Sequence, residues 1–184
     1  MIIGVDEVGR GSWAGPVCVA AVAWPDDAPK RGLADSKVLT REQRQKMAAR
    51  IRRHAQGIGI GWVDAKQIDK IGLTAALQIA GRAAVTQIGL VAPIIMDGRE
   101  KFLGDIEATY LIKADGKIPA VMAASIIAKV ARDTYMYAMD HQFAGYKFSS
   151  HVGYGTKGHR QAIAELGPSA IHRLRWAPLQ MYAQ

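Results

Sequence analysis

Ile2-Ile3-Gly4-Val5-Asp6-Glu7-Val8-Gly9-Arg10-Gly11 is the stretch on which the reading of this chain turns, and Pro16-Val17-Cys18-Val19-Ala20-Ala21-Val22-Ala23-Trp24 follows close behind it. The first run predicts a short buried strand over residues 1–5, closed by Asp6 and Glu7, with Gly9-Arg10-Gly11 as a turn. The second predicts another strand, rich in Val and Ala. Moving outward, residues 25–32 carry two prolines, charges and a glycine, and read as a loop. Thr40 followed by Arg41-Glu42-Gln43 is a capping box that opens a helix to about residue 55. Ile58, Ile60 and Trp62 alternate along a third strand over 58–63. Leu73, Leu77, Ala80, Ala84 and Ile88 recur at helical spacing, so 73–88 is a core-facing helix. Residues 92–96 form an apolar strand that stops at Asp97-Gly98, and 108–112 a fifth strand. Pro119 opens a long helix to residue 139. A loop rich in glycine and aromatics spans 145–158, and a short basic helix lies near 159–166. Strands that then alternate with helices predict the α/β class, one mixed sheet with helices on its faces. The expectation is one domain over 1–184, with 145–184 as a short C-terminal extension of helix and loop.

Composition narrows the partners. Lys and Arg total 24 against 16 Asp and Glu, a formal charge of +8, which favours a polyanion such as nucleic acid. The apolar stretches at 16–24 and 118–127 are too short to span a bilayer, so no membrane partner is expected. Asp6, Glu7 and Arg10 interrupt the N-terminus, so no signal peptide is expected. Cys18 lies alone inside an apolar run and reads as a buried structural thiol. Together these predict a cytoplasmic protein.

Four acids stand where patterning does not call for them. Asp6 and Glu7 close the first strand, Asp97 closes the fourth, and Asp115 follows the fifth in Lys113-Ala114-Asp115. Neighbouring strand ends in one sheet would bring them together. Crowded carboxylates repel unless a cation joins them. An oxygen-only ligand set without Cys or His favours Mg²⁺ or Mn²⁺ over Zn²⁺. Each acid taken alone also reads as a turn former or helix cap.

The chain resembles ribonuclease HII, on motifs that appear in family order from residue 4 to about 173. They are Asp6-Glu7-Val8-Gly9-Arg10-Gly11, Ala14-Gly15-Pro16, Asp35-Ser36-Lys37-x-Leu39, Ile68-Asp69 and Asp97-Gly98. They continue through Ala123-Ala124-Ser125-Ile126-x-Ala128-Lys129-Val130-x-Arg132-Asp133 and Gly153-Tyr154-Gly155-Thr156-x-x-His159, and close with Gly167-Pro168-Ser169-x-x-His172-Arg173. The resemblance implies a ribonuclease H-like fold and four metal-binding acids at Asp6, Glu7, Asp97 and Asp115. It also implies cleavage of the RNA strand of RNA–DNA hybrids and 5′ of ribonucleotides embedded in duplex DNA, with 3′-hydroxyl and 5′-phosphate ends. Ala114 stands where bacterial members usually carry Gly, yet the acid after it is kept. The Asn usual after the Ile-Asp segment is replaced near Gly72.

Phosphodiester hydrolysis needs an activated water and neutralised charge on phosphate and leaving oxygen, which two divalent ions supply together. Asp6 and Asp97 are the candidates for shared ligands, with Glu7 and Asp115 completing the set. Telling RNA from DNA requires reading the 2′-hydroxyl. The backbone of Gly9, Arg10 and Gly11 can approach a sugar closely, and in the family this turn does that reading. Tyr154, between two glycines, matches the family's junction-sensing tyrosine. Ser125, Lys129 and Arg132 form a polar line on the long helix, expected to face the phosphate backbone, with Asp133 orienting Lys129 or Arg132. Lys37 is a further phosphate candidate. The basic residues between Arg41 and Arg53 surround their helix and read as solvated surface. The remaining alternatives are another metal nuclease on the same fold, or a non-catalytic nucleic-acid-binding module. A monomer is expected, and residues 180–184 match a sliding-clamp tail too poorly for that partner to be assigned.

Overall fold

The first strand runs further than its apolar residues alone indicate. In the structure, a computed structural model that describes residues 1–30, 33, 36 and 38–182, β1 is Ile2–Val8. Asp6 and Glu7 lie inside β1 because its ladder with β2 (Val17–Trp24) continues past them, pairing Asp6 with Ala20, Glu7 with Val19 and Val8 with Cys18. The sheet has five strands in the order β3-β2-β1-β4-β5, where β3 is Gly57–Val63, β4 is Ile94–Asp97 and β5 is Thr109–Leu111. β1 is antiparallel to β2 and parallel to β4, and β4 is parallel to β5. The mixed sheet expected from the order of elements is therefore present.

Helices cover both faces. On one side α3 (Leu73–Ile88) packs Ala76, Leu77, Ala80, Ala84 and Ile88 against Val17, Val19, Ala21 and Ala23 of β2. On the other, α1 (Arg41–His54) and α4 (Pro119–Gln142) enclose Cys18, Ala20, Val22 and Trp24. Every residue of β2 is buried, which is why its sequence is uniformly apolar rather than alternating. Each fully buried Val or Ile side chain contributes roughly 1.5–3 kcal/mol. The glycines of β3 let α3 sit directly on the sheet: a Cβ at Gly59 would lie 1.9 Å from the Ala84 carbonyl oxygen, and one at Gly61 1.8 Å from that of Ala80. Burial also pushes the Cys18 thiol up, away from reactivity.

The predicted capping box opens α1: Gln43 N donates to Thr40 Oγ1 at 3.2 Å, and Thr40 N to Gln43 Oε1 at 2.8 Å. Short helices escaped the pattern reading. α2 (Ala65–Ile71), capped by Asp64, fills the interval between β3 and α3, and α5 (Phe148–His151) lies within the expected loop. α6 (Lys157–Leu166) and a 3₁₀ segment, Ala177–Tyr182, follow. This C-terminal region has its own apolar cluster, in which Phe148, Val152, Ile163 and Leu179 pack on Ala14 and on Met136 of α4. Among the described residues no helix is long and apolar enough to cross a membrane.

Candidate active site

The parallel pairing of β1 and β4 puts Val5 opposite Met96, so Asp6 and Asp97 follow side by side at the same end of the sheet. Asp97 Oδ1 accepts the Ala114 amide at 2.6 Å, which ties the 3₁₀ turn Ala114–Gly116 to the end of β4 and brings in Asp115. Lys113 takes the positive φ in this connection, at 59°, and Ala114 does not, so no glycine is needed before the acid. Asp6, Glu7, Asp97 and Asp115 all line one cavity of about 290 Å³.

The charge in that cavity is poorly balanced. Burial raises the Asp6 carboxyl well above its ordinary range; Glu7 and Asp97 raise it further, and hydrogen bonds from Ser125 and the Glu7 amide oppose the shift. Burial also raises Glu7, against the pull of the Arg10 guanidinium. Glu7 Oε2 is buried with no hydrogen-bond partner. An orphaned carboxylate oxygen beside a destabilised acid suits a hard cation, which would relieve both costs. Among the described residues no group of three or more His, Cys, Asp or Glu side chains already surrounds one point; the acids ring a wider cavity.

The other expected residues divide clearly. Gly9, Arg10, Gly11, Ser125, Lys129 and Tyr154 line the same cavity. Gly9 has φ 91°, and a Cβ there would lie 2.3 Å from Arg132 Nε, so both conformation and space demand glycine. A Cβ on Gly11 would meet nothing within 4 Å, so that side of the turn is open to a ligand. Arg10 pairs with Glu7 at 3.3 Å and Glu100 at 2.5 Å. Ser125 shares a 2.9 Å hydrogen bond with Ser36, which also faces the cavity. Lys129 Nζ is held by Asp133 at 2.8 Å, the orienting contact expected for that pair.

Arg132 departs from expectation. It is 0% exposed and lies behind the cavity, not on a phosphate-facing surface. Its guanidinium donates to the carbonyls of Pro16 (2.9 Å), Val152 (2.8 Å) and Ala14 (3.0 Å). The sequence carried a sign of this, because Arg132 sits four residues from both Ala128 and Met136 on the buried stripe of α4. Lys37 and Asp35 lie outside the described residues. Residues quoted in motifs but given no role also bear on the site. Arg173, another fully buried arginine, donates to the carbonyls of Gly9, Arg10 and Gly15. His159 and His172 bond to one another at 3.0 Å, and His159 Nδ1 bonds the Tyr154 carbonyl at 3.0 Å. Periodicity places His159 on the buried face of α6 with Ala162 and Ile163 but does not mark Arg173, whose carbonyl partners come from a distant segment.

Comparison with known proteins identifies the family and agrees with the fold. The family model described as Ribonuclease HII matches residues 3–179. A ribonuclease HII from Synechococcus sp. (strain JA-3-3Ab) is 43% identical over 182 residues, covering 97% of this chain and 82% of that protein. The RNase HII in a PCNA:RNase HII complex from Archaeoglobus fulgidus superposes with a TM-score of 0.83 at 26% identity, covering 100% of this chain and 97% of that one. Bst-RNase HIII, solved in complex with Mn²⁺, shares the fold with a TM-score of 0.75 at 22% identity, covering 97% of this chain and 68% of that one.

Proposed function

The chain belongs to the ribonuclease HII family, whose members are ribonuclease H endonucleases, and from that premise we propose its substrate and mechanism. It cuts the RNA strand of RNA–DNA hybrids and cleaves 5′ of ribonucleotides embedded in duplex DNA, leaving 3′-hydroxyl and 5′-phosphate ends. In the cell this serves ribonucleotide removal during DNA replication and repair. The observation that carries the proposal is a single cavity lined by four acids from separated segments, a glycine turn open on one side, Lys129 and Tyr154.

Asp6, Glu7, Asp97 and Asp115 would hold two divalent cations, Mg²⁺ or Mn²⁺. When bound, such ions lower the pKa of an attacking water and neutralise charge on the leaving oxygen. The chain's own residues set the geometry. Ser125 and the Glu7 amide orient the Asp6 carboxylate, and the Ala114 amide orients Asp97. Arg10 offsets part of the charge on Glu7. Lys129 presents an ammonium to a phosphate while Asp133 restrains it. The backbone at residues 9–11 reads the 2′-hydroxyl, and the ring of Tyr154 packs on the next deoxyribose. The test is cleavage of a DNA duplex bearing one ribonucleotide, with Mg²⁺ or Mn²⁺ and with EDTA. Metal-dependent incision 5′ of the ribonucleotide is the expected result. Binding without incision, or incision insensitive to EDTA, overturns the proposal.

A further inference from the structure

We propose that His172 and Arg173 are positioning residues that hold the two sugar-reading elements, the 9–11 turn and Tyr154, in register, and so set selectivity for a single ribonucleotide. This rests on the preceding reading that those elements contact the sugars. His172 and Arg173 are adjacent, yet they reach in different directions. Arg173 donates through Nη2 to the Gly9 carbonyl at 2.7 Å, through Nη1 to that of Arg10 at 2.9 Å, and through Nε to that of Gly15 at 3.0 Å. His172 accepts the Ser169 amide on Nδ1 at 2.8 Å, so its proton sits on Nε2. That proton is donated to His159 Nε2 at 3.0 Å, which leaves the His159 proton on Nδ1, directed at the Tyr154 carbonyl 3.0 Å away. One tautomer satisfies the whole chain from Ser169 to Tyr154.

The backbone supports the same link. Gly15 N donates to the Ile171 carbonyl and Arg173 N to that of Trp13, both at 2.8 Å, while Trp13 N donates to the Gly153 carbonyl at 2.8 Å. Segments 13–15, 153 and 171–173 are thus laced together. Asp69 of α2 anchors the continuation by accepting the amides of Leu174 (2.7 Å) and Arg175 (3.1 Å). Val152, just before Gly153-Tyr154, has φ 44°, a left-handed conformation that a β-branched residue keeps only when its surroundings impose it. Neither His172 nor Arg173 lines the cavity, so neither is a catalytic residue.

The test uses the full chain with Arg173→Lys, His172→Phe and His172→Gln. Lysine keeps the charge but cannot reach three carbonyls. Phenylalanine fills the ring volume without a donor, and glutamine restores a donor near Nε2. Turnover is measured on a duplex with one embedded ribonucleotide and on a uniform RNA–DNA hybrid, with melting followed in parallel. Arg173→Lys and His172→Phe are expected to lower the preference for the single ribonucleotide by about tenfold, in kcat rather than KM, the scale of one or two misaligned hydrogen bonds. His172→Gln is expected to recover most of that preference. Equal losses on both substrates, or an unchanged preference in folded variants, overturn the proposal. If Arg173→Lys melts below the assay temperature, the His172 pair decides alone. Tyr154→Ala is the control on the premise: if it leaves the preference unchanged, the sugar-reading assignment falls and takes this proposal with it. If Tyr154→Ala shifts the preference and the His172 and Arg173 variants do not, the positioning role alone is refuted.

Discussion

Arg132→Met separates a phosphate contact from an internal clamp. The side chain is fully buried, and its three hydrogen bonds satisfy the carbonyls of Ala14, Pro16 and Val152, which join the segment after the 9–11 turn to the loop before Tyr154. Methionine fills much of the volume but leaves three buried acceptors without donors, at roughly 1–3 kcal/mol each. Removing a charge that burial already disfavours returns part of that cost. The net is a destabilisation of about 3–5 kcal/mol, with local relaxation and water entry limiting the sum. For a chain of this size that lowers the melting temperature by about 10 °C. Thermal unfolding by circular dichroism reads this directly. A second measurement follows hybrid-duplex affinity across a salt series in Ca²⁺, where each lost phosphate contact flattens the log–log slope by roughly 0.7–0.9. Arg132→Met should leave that slope unchanged in the folded protein. Lys129→Ala should flatten it by about one contact while moving the melting point by only a few degrees. A normal melting temperature with a flattened slope in Arg132→Met would refute the clamp and restore the phosphate reading.

Three further outcomes follow from the same geometry. Asp97→Asn should retain the fold by circular dichroism and lose nearly all Mg²⁺-dependent cleavage, because the amide can still accept the Ala114 N–H but carries no charge; near-normal turnover contradicts the assignment. Tyr154→Ala should lose far more activity on a single embedded ribonucleotide than on a uniform hybrid, and Tyr154→Phe should keep most of it, because in the proposed reading the ring rather than the hydroxyl contacts the sugar; equal losses with a lowered melting point would mark the tyrosine as packing. Burial lowers His159 and His172 from 6.5 to about 4, so the unfolded chain takes up protons first as the solution acidifies. Their contribution to stability is complete above 6.5 and is lost as pH falls toward about 4, whereas the raised Asp6 and Glu7 carboxyls act in the opposite sense. Melting temperatures across that window should fall less steeply in His172→Gln than in the unsubstituted protein, and parallel curves would count against the histidines as the source.

What the linear sequence determined is what local periodicity and motif order encode. The span of α3 follows from Leu73, Leu77, Ala80, Ala84 and Ile88 at helical spacing, and the start of α1 from a capping box whose partners are three residues apart. The acids at 6, 7, 97 and 115 stood out because charge beside apolar strands conflicts with burial, and the ordered motifs identified the family. Only the tertiary structure decided matters settled by contacts between distant segments. The ladder with β2 carried β1 through Asp6 and Glu7, and the parallel register with β4 set Asp97 beside them. The helical spacing of Arg132 with Ala128 and Met136 signals its burial but not its partners, and Arg173 reads in one dimension as one more cation near the C-terminus. Their carbonyl partners lie more than 100 residues away for the 9–16 contacts, and a buried guanidinium is stable only where such acceptors converge. No spacing rule within one helix or strand encodes that convergence, because it comes into existence only when the C-terminal segment folds back onto the turn that follows β1.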